Sequence, residues 1–143
     1  MTHEDRGHYA KKHQGKTIDE NISKKILSLA ENKNLTCAAA HRIAKDLGIL
    51  PLEIGIQIDL MEFRITKCQL GLYGYLPEPK KINPDIKISK DLTVALVKTI
   101  NDNRISCKQC WEIADSLKIK KLDLGSACEK KDIRIKPCQL GAF

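Results

Sequence analysis

The feature that most constrains this chain is an internal repeat. Shifted by 70 residues, residues 35–73 lie on 105–143 without a gap, and 13 of the 39 positions are identical. The identities include Cys37/Cys107, Ala44/Ala114, Gly55/Gly125 and Arg64/Arg134, and end in a run, Cys68-Gln69-Leu70-Gly71 on Cys138-Gln139-Leu140-Gly141. Upstream the match continues as pattern. Ile22, Ile26, Leu27 and Ala30 fall on Leu92, Leu96, Val97 and Ile100, spaced as the apolar stripe of an amphipathic helix. A gapless match of this length means one supersecondary unit used twice.

Each copy reads as three helices with two short strands. Thr17 followed by Glu20 has the form of a capping box for the first helix of copy one, and Ser89 is the matching N-cap of copy two. Polar turns at 31–34 and 101–104 end these helices. Leu35 and Ile105 mark very short strands, after which Thr36 and Ser106 cap helices running to about Leu47 and Leu117. Third helices follow over about 51–62 and 121–132. Residues 64–68 and 134–138 read as strands, the second confined to an edge by Pro137. The resulting division is a mobile polar tail (1–16), unit 1 (17–75), a proline-containing linker (76–88) and unit 2 (89–143).

Hydrophobic residues at 42% and charged residues at 30% are a globular composition. No apolar run approaches the roughly 20 residues that span a bilayer, and the first residues lack the apolar core of a secretory signal. Both point to a cytoplasmic protein that uses no membrane. Its six cysteines are then free thiols or metal ligands rather than a disulfide framework. The net charge of +7 is uneven, for residues 90–143 carry eleven basic and seven acidic side chains. A surface for nucleic acid or another polyanion therefore belongs mainly to the C-terminal part, unless those cations form only a solvated face.

The middle of each copy resembles the helix-turn-helix superfamily, in particular its winged-helix branch. The residues that carry the resemblance are small Ala44 and Ala114 in the second helix, then Leu47 and Leu117 three positions on. Next come Gly48 in the turn (with Lys118 departing from the pattern), Ile49 and Ile119, and core-facing Ile54 and Leu124. The resemblance implies a mainly α fold with short β strands, as two tandem winged-helix-like units of three helices plus a short hairpin. It also implies DNA binding by the third helix of a unit inserted in the major groove.

The two third helices carry opposite chemistry. Residues 51–62 hold Glu53, Asp59 and Glu62 with no Lys or Arg, and Ile56 and Leu60 add apolar atoms, so copy one reads as a face for a protein partner or for self-association. Copy two has Ser126 and Lys130 at those two positions, with Lys120, Lys121, Lys131 and Arg134 alongside. These six are the candidate nucleic-acid contacts, chiefly to phosphates. The expected function is non-enzymatic binding, either as a DNA-binding regulator or as a protein-interaction adaptor.

Cys37, Cys68, Cys107 and Cys138 recur in both copies. If the strand after the third helix pairs with the strand before the second, the members of each pair approach one another. Cys107-x-x-Cys110 with Cys128 and Cys138 supplies four thiols in copy two, enough for a metal site or redox sensing. Cys110 and Cys128 replace Ala40 and Ile58, however, and buried cysteine also serves as a small core residue. His3, His8 and His13 lie in the polar tail, where an ordered metal site is not expected. No catalytic triad, phosphate-cradling glycine loop or paired carboxylates are present, so no cofactor is expected beyond a metal at the cysteines.

Overall fold

The computed structural model describes residues 8–143, and is mainly helical with a few short strands. The chain forms two compact units, one from the chain up to Cys68 together with Gln139–Phe143, the other from Gln69–Cys138.

In unit 1 a 3-10 helix (Tyr9–His13) precedes α1 (Glu20–Leu29), β1 (Asn34–Thr36), α2 (Cys37–Leu47), α3 (Pro51–Leu60) and β2 (Arg64–Thr66). Asp19, not Thr17, caps α1, its carboxylate accepting from the Ile22 N–H at 3.0 Å. Thr17 is held instead by Gln57, whose amide donates to the Thr17 carbonyl at 3.2 Å and accepts from the Asp19 N–H at 2.8 Å. The α1 stripe is narrower than its spacing predicts, for Ile26 is buried while Leu27 is exposed. Asn32 and Lys33 both have positive φ and close a two-residue turn, with Glu31 and Asn34 exchanging backbone hydrogen bonds at 2.9 and 2.8 Å. Thr36 caps α2 as expected, accepting from Ala39 N–H at 3.1 Å. Gly48 ends that helix in the left-handed conformation, and Pro51 opens α3 at its first position.

Unit 2 repeats this plan with α4 (Lys90–Thr99), β3 (Arg104–Ile105), α5 (Cys107–Leu117), α6 (Lys121–Lys130) and β4 (Arg134–Ile135). Ser89 caps α4, and Ser106 with Gln109 forms a reciprocal capping box on α5. Lys118 adopts the left-handed conformation of Gly48, with φ 56° against 66°.

The strands correct one expectation. β1 pairs with β2, and β3 with β4, but both pairs are parallel, in the registers Leu35↔Ile65 and Ile105↔Ile135. A hairpin needs antiparallel neighbours joined directly. Here two helices intervene between paired strands, so neither pair is the short hairpin expected.

The repeated Gly and Gln-Leu-Gly motifs have one explanation. Gly55 of α3 lies so close to the backbone of Leu140 that a Cβ would overlap its carbonyl. Gly125 of α6 meets the Leu70 carbonyl in the same way. Each unit's core is thus completed by the Gln-Leu-Gly segment that follows the last strand of the other repeat. Leu70 and Leu140 are 0% and 2% exposed, and burial of each side chain contributes about 1.5–3 kcal/mol.

The expected boundaries shift accordingly. Residues 9–13, read as mobile tail, form the 3-10 helix packed on α3, with buried Tyr9 and with the Glu62 carboxylate accepting from the Tyr9 and Ala10 N–H groups at 3.0 and 2.8 Å. Residues 76–88, read as a linker, belong to unit 2, where Lys81 N–H bonds the Gly71 carbonyl at 2.7 Å and Asn83 N–H bonds the Ser126 hydroxyl at 2.9 Å.

Candidate nucleic-acid interface

The third helices decide how much of the expected recognition surface is available. In α6 five consecutive residues, Leu124 to Cys128, are buried, and consecutive helical positions point about 100° apart. The middle of α6 is therefore enclosed all round. Ser126 is 2% exposed with its hydroxyl taken by Asn83, which removes it as a base contact.

The cations lie at the ends of this helix. Lys120 is exposed as the N-cap, and half-buried Lys121 holds its ammonium 4.8 Å from the Trp111 ring centroid. At the other end Lys130 is exposed but donates to the Ile86 carbonyl at 3.0 Å, and Lys131 is exposed as the C-cap. Lys121 and Lys130, nine positions apart, project to opposite sides, about 180° around the axis. The predicted cations thus form two clusters about 15 Å apart rather than one stripe along the helix.

Arg134 sits elsewhere, on β4, and there the structure adds residues the sequence reading missed. Arg104 of β3 is its register partner, both are exposed, and Ile105 and Ile135 beside them are buried. Lys136, two residues beyond Arg134, is also exposed and its N–H bonds the Ile105 carbonyl at 2.9 Å. Arg104 and Lys136 line an open cleft of about 600 Å³ together with Asn101, Asp102, Ser106 and Gln109. The signal available in the sequence was the comparison of copies. Unit 1 has Asn34 and Thr66 where unit 2 has Arg104 and Lys136.

In unit 1, α3 is enclosed by α1, α2 and the 3-10 helix. Ile56 and Leu60, expected as an open docking face, are consequently only half-exposed. Larger apolar exposure lies at the start of α3, with Leu50 at 69% and Leu52 at 47%, and on and before α1, at Ile18, Leu27 and Leu29. Asp59 is buried, its Oδ2 shared by His13 Nε2 at 2.7 Å and Lys12 Nζ at 3.4 Å. This cluster ties the 3-10 helix to α3.

All six cysteines are reduced and buried. Cys37 is the first residue of α2, directly after β1, and Cys68 follows β2; Cys107 and Cys138 take the same places in the second repeat. The side chains of Cys110 and Cys128 hydrogen-bond each other, and that bond, with burial, pushes the Cys110 thiol well above the usual thiol range. Among the described residues no group of three or more His, Cys, Asp or Glu is arranged to hold a metal ion. His3 lies outside the described residues. Among the described residues, no helix is long and apolar enough to cross a membrane. No protein-family model, curated protein or solved structure matches the chain.

Proposed function

We propose that this is a non-enzymatic, helix-turn-helix-like binding protein whose second unit contacts nucleic acid through the phosphate backbone. One observation carries the reading: two units of one plan differ in where they place charge. Between residues 33–73 and 103–143, eight positions exchange an uncharged residue of unit 1 for a cation in unit 2, namely Asn34/Arg104, Ala38/Lys108, Gly48/Lys118, Leu50/Lys120, Pro51/Lys121, Leu60/Lys130, Met61/Lys131 and Thr66/Lys136, while Lys33/Asn103 and Lys67/Pro137 run the other way. Five of the eight gather at the two ends of α6, one lies on α5, and the two at the strand pair are offset by the two lost beside it. Over the same comparison Arg42 and Lys45 of α2 become Glu112 and Asp115 on α5, so positive charge moves off one helix face and gathers elsewhere. Unit 2 as a whole has fourteen Lys and Arg against nine Asp and Glu, while unit 1 has eleven against nine. Lys120 and Lys121 also stand at a helix N-terminus, where the dipole disfavours cations and favours anions.

The enclosed middle of α6 shapes the proposed mode. Base edges are read by side chains along an exposed helix face, and α6 offers cations only at its ends. Contact is with phosphates, and affinity is largely independent of sequence. A salt titration with labelled duplexes of two unrelated sequences tests this. Similar affinities for both, falling steeply with salt, are expected; no binding at low salt overturns the proposal. A protein-docking reading has one specific support, exposed Leu50 and Leu52 in unit 1. Retention of a partner by wild type but not by the Leu50→Lys chain would favour it.

A further inference from the structure

We infer that the exposed face of β3 and β4, at the edge of the cleft that Arg104 and Lys136 line, is a phosphate site in which Arg104, its register partner Arg134 and Lys136 hold one phosphodiester group of a nucleic-acid backbone. The inference rests on the nucleic-acid reading above and locates its strongest contact away from α6. Partners in a parallel ladder stand side by side, with neighbouring strands about 4.8 Å apart, and their side chains leave the same face. Arg104 and Arg134 are such partners, both exposed. Lys136 follows Arg134 by two residues and so shares its face. Like charges placed directly across a ladder repel, and the strands beneath are fixed by buried Ile105 and Ile135, which leaves the guanidiniums nowhere to separate except within the reach of their own side chains. The corresponding positions of unit 1, Asn34 and Arg64, carry no such conflict.

An anion between the two guanidiniums removes the repulsion, and planar N–H forks match phosphate oxygens in pairs. Lys136 supplies a third cation on the cleft wall, and the Ser106 and Gln109 side chains line the same cleft. Asp102 also lines it, and Asp132 lies two residues before Arg134. Neither forms an ion pair with these cations among the described residues, so the positive charges remain available. The cleft is open to solvent rather than enclosed, which suits a phosphate carried on a polymer.

The test uses substitutions that unit 1 already carries at equivalent places, Arg104→Asn and Lys136→Thr, so the fold has a precedent for both. Anisotropy of a labelled duplex is measured with the full chain at about 50 mM salt and upward. The double variant is expected to bind at least about tenfold more weakly, with the salt slope reduced by about 2, whereas Lys120→Leu costs less. A second arm titrates inorganic phosphate into the wild-type chain and follows the Arg104 and Ser106 amides by NMR. Those amides are expected to move with duplex at far lower concentration than with free phosphate. Double-variant affinity within twofold of wild type, with an unchanged thermal midpoint, overturns the site while leaving nucleic-acid binding standing. No binding by the wild type at low salt overturns both, and amides that respond to free phosphate as readily as to duplex overturn the choice of a backbone phosphate.

Discussion

Replacing Gly125 by Ala puts the packing account under the most severe test. In an ordinary helix interior this substitution stabilises by about 1 kcal/mol, because alanine is the better helix former. Gly125 occupies the middle of α6, where that gain would apply. Its added Cβ, however, would overlap the Leu70 carbonyl oxygen and stand 3.3 Å from the Leu70 Cα, so backbone rather than a flexible side-chain end must move. Restoring an ordinary contact needs a retreat of more than about 1 Å, which pulls Leu70 from a site where it is 0% exposed. Losing most of that burial costs about 1.5–3 kcal/mol, and the overlap itself about 1–3 kcal/mol. Set against the helix gain, the net loss is about 1.5–5 kcal/mol. For a unit of this size that lowers the thermal midpoint by about 6–40 °C. Urea and thermal melts of the full chain measure it. The control is Gly48→Ala, which has open space but φ +66° and should cost only about 1 kcal/mol. Were Gly125→Ala neutral or stabilising, the exchange of Gln-Leu-Gly segments between repeats would be refuted.

The same packing predicts that Leu140→Ala weakens unit 1 selectively, by about 2–4 kcal/mol, seen as faster amide exchange in α3 than in α6; equal loss in both helices would contradict it. Lys118→Gly should stabilise unit 2 by about 0.4–1 kcal/mol in urea melts, since Lys118 sits at φ 56° where its counterpart is already glycine; a loss of stability would count against the left-handed turn. With Cys110 pushed far above the usual thiol range and all six thiols buried, a disulfide reagent at pH 8 should label the native chain slowly and all six cysteines once urea is added. Rapid native labelling of Cys110 would show that its surroundings are open.

Much of the fold was legible because the repeat let each copy check the other. Thr36, Ser106 and Ser89 cap where their side chains predict, whereas Lys118, read as a departure from the turn pattern, adopts the left-handed conformation of Gly48 all the same. The parallel pairing was not legible, since strands of two or three residues carry too little alternation to fix direction. Nor was the segment exchange. An alignment of one copy on the other shows that Gln-Leu-Gly matters twice, but identical segments cannot reveal which glycine each one meets. That gap also misplaced Ser126, which looks like a solvent-facing residue until residues 69–88 are packed over α6. At the candidate site, Arg134 was found from its sequence neighbourhood, while Arg104 and Lys136 came into view only when the parallel register brought β3 beside β4. Likewise the pairing of His13 with Asp59 joins residues 46 positions apart and needs the 3-10 helix to exist.

The duplication provides its own reference for the binding claim. Amide spectra of the full chain, recorded as a short duplex is titrated in at low salt, report every position in both copies at once. Shifts concentrated at Arg104, Ser106, Lys131, Arg134 and Lys136, with Asn34, Thr36, Met61, Arg64 and Thr66 unmoved, are the outcome expected. Perturbations of equal size at the two sets, or none at either, would contradict the assignment of nucleic-acid contact to unit 2.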